Sequence, residues 1–178
     1  MAIGVAAVVL VVYNFCGIGP EALTQAQRYA SEIYELIGVP VVWITEGTAP
    51  PPDAEQRLRF QVALLGPAGN VEGVSKSALG VAPLSHDRAY IFCERVAALA
   101  PRAETSFATI LGRVLAHEVG HLLLPGQGHA VVGIMRPNVD YASKLPPRFT
   151  DVQADSIRAL IADRTVGALA QNSRGNER

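Results

Sequence analysis

Residues 5–45 read VAAVVLVVYNFCGIGPEALTQAQRYASEIYELIGVPVVWIT, and the spacing of their apolar positions changes twice. Val5 to Phe15 is almost continuously apolar and Val-rich, the pattern of a strand covered on both faces. After Cys16-Gly17-Ile18-Gly19, Pro20 suits a first helical position. Ala22, Leu23, Ala26, Tyr29, Ala30, Ile33 and Ile37 then recur at intervals of three and four, and Gly38 stops the pattern. Val39 to Thr45 is a second apolar strand. Strand, helix and strand at these lengths make a parallel βαβ crossover, so the fold opens as α/β.

Further along, Leu58, Phe60, Val62 and Leu64 alternate with Arg57, Arg59 and Gln61, which predicts a third strand over Arg57 to Leu65. The Pro50-Pro51-Pro52 run within Gly47 to Asp53 marks an exposed connection before it. Gly66 to Ser77 reads as loop, Ala78 to Leu84 as a short strand ended by Pro83, and Arg88 to Val96 as another strand. From Glu104 to Leu124 the period becomes helical through Phe107, Ile110, Leu111, Val114, Leu115, Val119, Leu122 and Leu123, with Thr105 or Ser106 as cap. Thr150-Asp151-Val152-Gln153 is a capping-box pattern before a last helix to about Arg164. We read residues 1–170 as one domain and the polar end Gln171 to Arg178 as a frayed tail.

The chain has 178 residues, 49% of them hydrophobic and 17% charged, with a formal net charge of −1. Such a composition supports one packed core, and its charge balance offers no field to hold a nucleic-acid backbone. The longest apolar run, Ala2 to Tyr13, has 12 residues, short of the roughly 20 that span a bilayer. No Lys or Arg precedes Arg28, which favours a buried strand over a signal peptide. Cys16 and Cys93 form no Cys-x-x-Cys pair and read either as buried thiols or as one disulfide, which leaves the compartment open.

Of four histidines, three fall within His117-Glu118-Val119-Gly120-His121-Leu122-Leu123-Leu124-Pro125-Gly126-Gln127-Gly128-His129. On a helix, positions four apart share a face, so His117 and His121 can present two imidazoles to one zinc ion. Glu118, one position round, can reach a metal-bound water without being a ligand, as a general base must. A catalytic zinc takes three protein ligands and keeps one position open. His129 is the chosen third, delivered by a chain reversal at Gly126 and Gly128. Asp140, Asp151 and Asp155 are the alternatives, and a later glutamate is nearly excluded because only Glu177 follows Glu118. His86 reads as a surface turn residue, and Arg136 either as a substrate-carboxylate binder or as solvent-facing.

His117-Glu118-x-x-His121, a nearby third histidine and then Gly133-Ile134-Met135-Arg136-Pro137 together resemble the metzincin clan of zinc metalloproteases. The resemblance covers most of the chain. It implies a twisted mixed sheet with one antiparallel edge strand, a crossover helix, an active-site helix and a C-terminal helix. It makes Met135 the methionine of a tight turn beneath the zinc and Ala78 to Leu84 the edge that pairs with extended peptide. Two departures stand out. Seven residues separate His121 from His129 where the clan usually has five, and Leu124 stands where the clan has a glycine. Pro137 occupies the position at which some members carry a ligating tyrosine, with Tyr141 nearby. The expected function is zinc-dependent hydrolysis of peptide or protein substrates. The rival readings are hydrolysis of a small non-peptide amide in a closed pocket and a zinc module without turnover.

Overall fold

The computed structural model describes residues 8–45, 47, 57–83, 86–143 and 145–175, with side chains to residue 164. The proline-rich connection expected at Gly47 to Asp53 lies almost wholly outside these residues, as does the start of the first apolar run. In chain order the elements are β1 (Val8–Asn14), α1 (Pro20–Glu35), β2 (Val41–Thr45), β3 (Leu58–Leu65), β4 (Gly80–Val81), β5 (Arg88–Phe92), α2 (Cys93–Leu99), α3 (Phe107–Leu123) and α4 (Asp151–Gly175).

The strands form one sheet in the order β2-β1-β3-β5-β4. All neighbours run parallel except β4, which pairs antiparallel with β5 and forms the edge. The continuous apolar run of β1 is explained by its place between β2 and β3. Val8, Leu10 and Val12 point into the main core, while Val9 and Val11 meet Ile44 on the opposite face.

Helix α1 buries Leu23, Ala26, Ala30, Ile33 and Tyr34. Removing a Leu or Ile side chain from water contributes about 1.5–3 kcal/mol, so this stripe fastens the helix. It lies directly on α3. A Cβ at Gly112 would stand 2.6 Å from Tyr29 Cβ and 2.7 Å from the Ala26 carbonyl oxygen, so only glycine permits this approach. The buried Tyr34 hydroxyl donates to the Ala116 carbonyl of α3 at 2.8 Å. Ile157 and Ile161 of α4 join the same core.

Three expectations need correction. The strand predicted to Val96 stops at Phe92, and α2 begins without a break at Cys93. The alternating pattern simply runs into a helical one, with no glycine or proline between them. The last helix continues beyond Arg164 to Gly175, taking in part of the expected tail. The short edge strand is only Gly80–Val81, although Phe92 N–H donates to the Leu79 carbonyl at 2.9 Å and lengthens the pairing by one bond. Of the two readings of the cysteines, the structure has the disulfide: Cys16 and Cys93 are bridged across 77 positions, with Cα atoms 6.4 Å apart. No helix among the described residues is long and apolar enough to cross a membrane.

Candidate metal centre

Ser106, not Thr105, caps α3, accepting from Thr109 N–H at 3.1 Å. Almost every residue of the helix is buried, His117 and Glu118 included. Leu124 ends it with non-helical backbone angles, and Gln127 N–H closes a turn onto the Leu124 carbonyl at 3.0 Å. Gly126, with φ of 77°, reverses the chain in a conformation that other residues rarely adopt. The reversal carries His129 back over His117 and His121, so the long spacing is absorbed by a turn.

The ring centroids of the three histidines lie 4.8–5.3 Å apart. One nitrogen from each falls within 4.8 Å of the others. The His117 Nδ1 donates to the Ile134 carbonyl at 2.7 Å, which turns the Nε2 lone pair toward the cluster. That Nε2 lies 3.2 Å from the Nε2 of His121. Two nitrogens each about 2.0–2.1 Å from a tetrahedral zinc stand about 3.3 Å apart, so the donor set fits such an ion. Burial lowers the proton affinity of His117, with the Ile134 carbonyl opposing and His129 adding to the effect. For His121, burial and then its two imidazole neighbours push the pKa down to about 4. Both rings are therefore neutral at pH 7, the form that ligates metal.

Glu118 sits beside this group with its carboxylate against the edge strand. A Cβ at Gly80 would come within 2.7–2.9 Å of Glu118 Cγ, Cδ and Oε1, so Gly80 leaves the space that the carboxylate fills. Burial raises the Glu118 pKa to about 8. A cation held by the adjacent imidazoles would act in the opposite sense, since a nearby positive charge favours the carboxylate.

Beneath α3, Gly133 (φ 80°) starts the turn that carries Met135, with Arg136 N–H donating to the Gly133 carbonyl at 3.4 Å. Ile134 N–H donates to the Arg148 carbonyl at 2.8 Å, and that oxygen would lie 2.3 Å from any Cβ at 133. Met135 is fully buried, and its sulfur occupies the space a side chain at Gly120 would need. The turn thus packs on the metal-site helix and supplies the carbonyl that orients His117.

The aspartates weighed as third ligands are placed elsewhere. Asp140 Oδ1 accepts from Ala142 N–H and Ser143 N–H, Asp151 opens α4, and Asp155 pairs with Arg158. His86 lies in an exposed turn and Arg136 at the exposed surface. One residue that sequence reasoning passed over organises the far wall. Arg113 is 4% exposed and donates through Nη1 to the carbonyls of Asp140 and Tyr141, and through Nη2 to those of Ser143 and Leu145. The signal was present: it is the one charged residue in the stretch from Phe107 to Ala116. The fixed segment includes Tyr141, whose hydroxyl proton is held tightly by burial and by the nearby Glu118.

Fold and site together define a mixed α/β protein with a three-histidine centre able to hold one metal ion. Among the solved structures that share the fold, two match over most of the chain. One is a zinc-dependent peptidase from Methanocorpusculum labreanum, with TM-score 0.57, 15% identity, and coverage of 85% of this chain and 100% of that one. The other is archaemetzincin from Methanopyrus kandleri, with TM-score 0.55, 16% identity, and coverage of 89% of this chain and 97% of that one. No protein-family model matches the sequence, and a sequence search of curated proteins gives no match.

Proposed function

We propose that this chain is a zinc-dependent metallopeptidase of metzincin type, cleaving within extended peptides. One observation carries the reading: three convergent imidazoles and a buried Glu118 line the same cleft, against the edge strand of a sheet. Two solved proteins of the same fold, one named a zinc-dependent peptidase and the other archaemetzincin, support it.

His117, His121 and His129 would hold the zinc. When bound, the ion would supply Lewis acidity, polarising the scissile carbonyl and making a water easier to deprotonate. Glu118 takes that proton and passes it to the leaving amine. Its contact with Gly80 keeps the carboxylate at the sheet edge, where β4 offers backbone groups to an extended peptide by strand addition. Met135 supports the site from below by holding the turn that aims His117. The small-amide reading asks for a closed pocket, whereas cavities flank the histidines on two sides, as an extended chain requires.

Two measurements test the proposal. The purified chain, loaded with zinc and dialysed, should retain one zinc per molecule by elemental analysis. Glu118→Gln should keep that zinc yet lose turnover of a peptide library by about a thousandfold, within the range of general acid–base contributions. Retained cleavage in Glu118→Gln would remove the glutamate from its role, and absence of bound zinc would remove the reading altogether.

A further inference from the structure

The two larger cavities that open onto the histidine cluster differ in charge. The smaller, about 410 Å³, runs past Gly126, Gln127 and Gly128 and, among the described residues, has no charged lining beyond the cluster and Glu118. The larger, about 680 Å³, extends the other way from His117, Glu118 and His129. Its walls carry Lys76, Arg95 and Arg102, and among the described residues Glu118 is its one acidic lining residue.

None of these three cations forms an ion pair among the described residues. Arg95 lies 3.8 Å above the Phe92 ring and donates Nη1 to the carbonyls of Ser75 and Ala78 at 2.9 and 2.8 Å. Those partners are neutral carbonyls, so the guanidinium is fixed in the wall without a carboxylate partner among the described residues. Arg102 follows α2 in a turn closed by its own N–H onto the Leu99 carbonyl at 3.0 Å, and its side chain is exposed, as is that of Lys76. In a chain with net charge −1 this is a local excess, confined to one side of the cleft.

We propose that the larger cavity is a subsite for a carboxylate, so that the cleft selects peptides bearing Asp or Glu on that side of the scissile bond. The inference rests on the metallopeptidase reading for the word scissile and on the cavity's own residues for the choice of charge. A substrate carboxylate meets a fixed guanidinium from Arg95 and two adaptable cations at the rim. Like charge is rejected by the same groups, which is how such arrangements give specificity.

The test uses fluorescein-labelled ten-residue alanine–glycine peptides carrying one Glu walked along the chain, each paired with its Gln twin. Binding is read by anisotropy on zinc-loaded Glu118→Gln, and again on the metal-free wild-type chain, neither of which turns peptide over. At least one Glu peptide should bind about tenfold tighter than its twin at low salt, with the ratio shrinking at high salt as screening sets in. The ratio should fall to about twofold in Arg102→Gln combined with Lys76→Gln, which leaves the structural bonds of Arg95 in place. A ratio near one at every position, or one unmoved by the double substitution, overturns the subsite. Cleavage by the zinc-loaded wild type is scored separately. Its absence with the binding ratio intact removes the peptidase reading and leaves the carboxylate subsite standing.

Discussion

The segment from β1 through β3 and the segment from Leu124 to Thr150 are ordered by different means. In the first, strand ladders satisfy the backbone and a periodic apolar stripe fastens α1. In the second, no helix or strand occurs among the described residues, and beside a few isolated backbone bonds order comes from side chains of α3 reaching out to carbonyls. Arg113 gathers the carbonyls of Asp140, Tyr141, Ser143 and Leu145, while His117 takes that of Ile134. A ladder spreads its stabilisation over many weak equivalents, whereas this arrangement concentrates it in a few groups. Substitutions in the second segment should therefore be felt both in stability and at the metal centre.

The sharpest way to break the contrast is Arg113→Met. It keeps the volume but takes the shared donor from four part-buried carbonyls, each bond contributing about 0.5–1.5 kcal/mol, so a loss of about 3 kcal/mol is expected in urea denaturation. A loss below about 1 kcal/mol would mean the segment orders itself. Next comes Gly133→Ala, which forces a left-handed φ on a residue with a Cβ and meets the Arg148 carbonyl. It should cost about 2 kcal/mol. It should also weaken zinc binding by about tenfold, because the Ile134 carbonyl would no longer orient His117. Competition with a chelator measures the second effect, and unchanged affinity would uncouple the turn from the metal.

Charge offers a third test, made on the metal-free protein. Glu118 is raised to about 8 in the fold, so between about pH 6.5 and 8 the folded chain binds more protons than the unfolded one, and stability falls as pH rises. Over that window the loss is about 2 kcal/mol. Glu118→Gln should abolish it. His121, lowered to about 4, works the other way: below about pH 6.5 the unfolded chain binds the extra proton, and stability falls as pH falls. Removing Glu118 should thus expose a steeper acid limb, which chemical denaturation at a series of pH values would reveal. The mildest change belongs to the regular segment. Ile33→Val should cost about 1 kcal/mol and leave zinc affinity untouched.

The same contrast governs what could be read without coordinates. Leu23, Ala26, Ala30 and Ile33 announce α1 because a helix with one buried face writes its period into the sequence. His117, Glu118 and His121 were legible for the same reason, since one turn of helix fixes their relation. His129 was legible as a candidate only, because its placement depends on a turn whose backbone angles at Leu124 and Gly126 leave no periodic trace. Gly80 lay inside the predicted edge strand, but its contact with Glu118 joins residues distant in sequence and could not be inferred from either. The join of β5 to α2 was missed because Phe92 and Cys93 are both buried and apolar, so a change of backbone geometry occurs without a change of residue class.

The Cys16–Cys93 bridge has a bearing on when the cleft becomes complete. Cys93 is the first residue of α2, the helix that carries Arg95 and leads into Arg102, so the basic wall hangs from a covalent anchor on the turn after β1. Such a bond closes only when an oxidant accepts the electrons of two thiols. Folding alone can assemble the histidines, but fastening the wall beside them is a separate chemical event, set by the redox poise of the surroundings. A chain held reduced keeps α2 in place by its join to β5, the bonds of Arg95 to Ser75 and Ala78, and the packing of the fully buried Val96. With a metal ion held by the histidines, as proposed, maturation of this cleft would be a two-key lock, with one key supplied by that ion and the other by an oxidant.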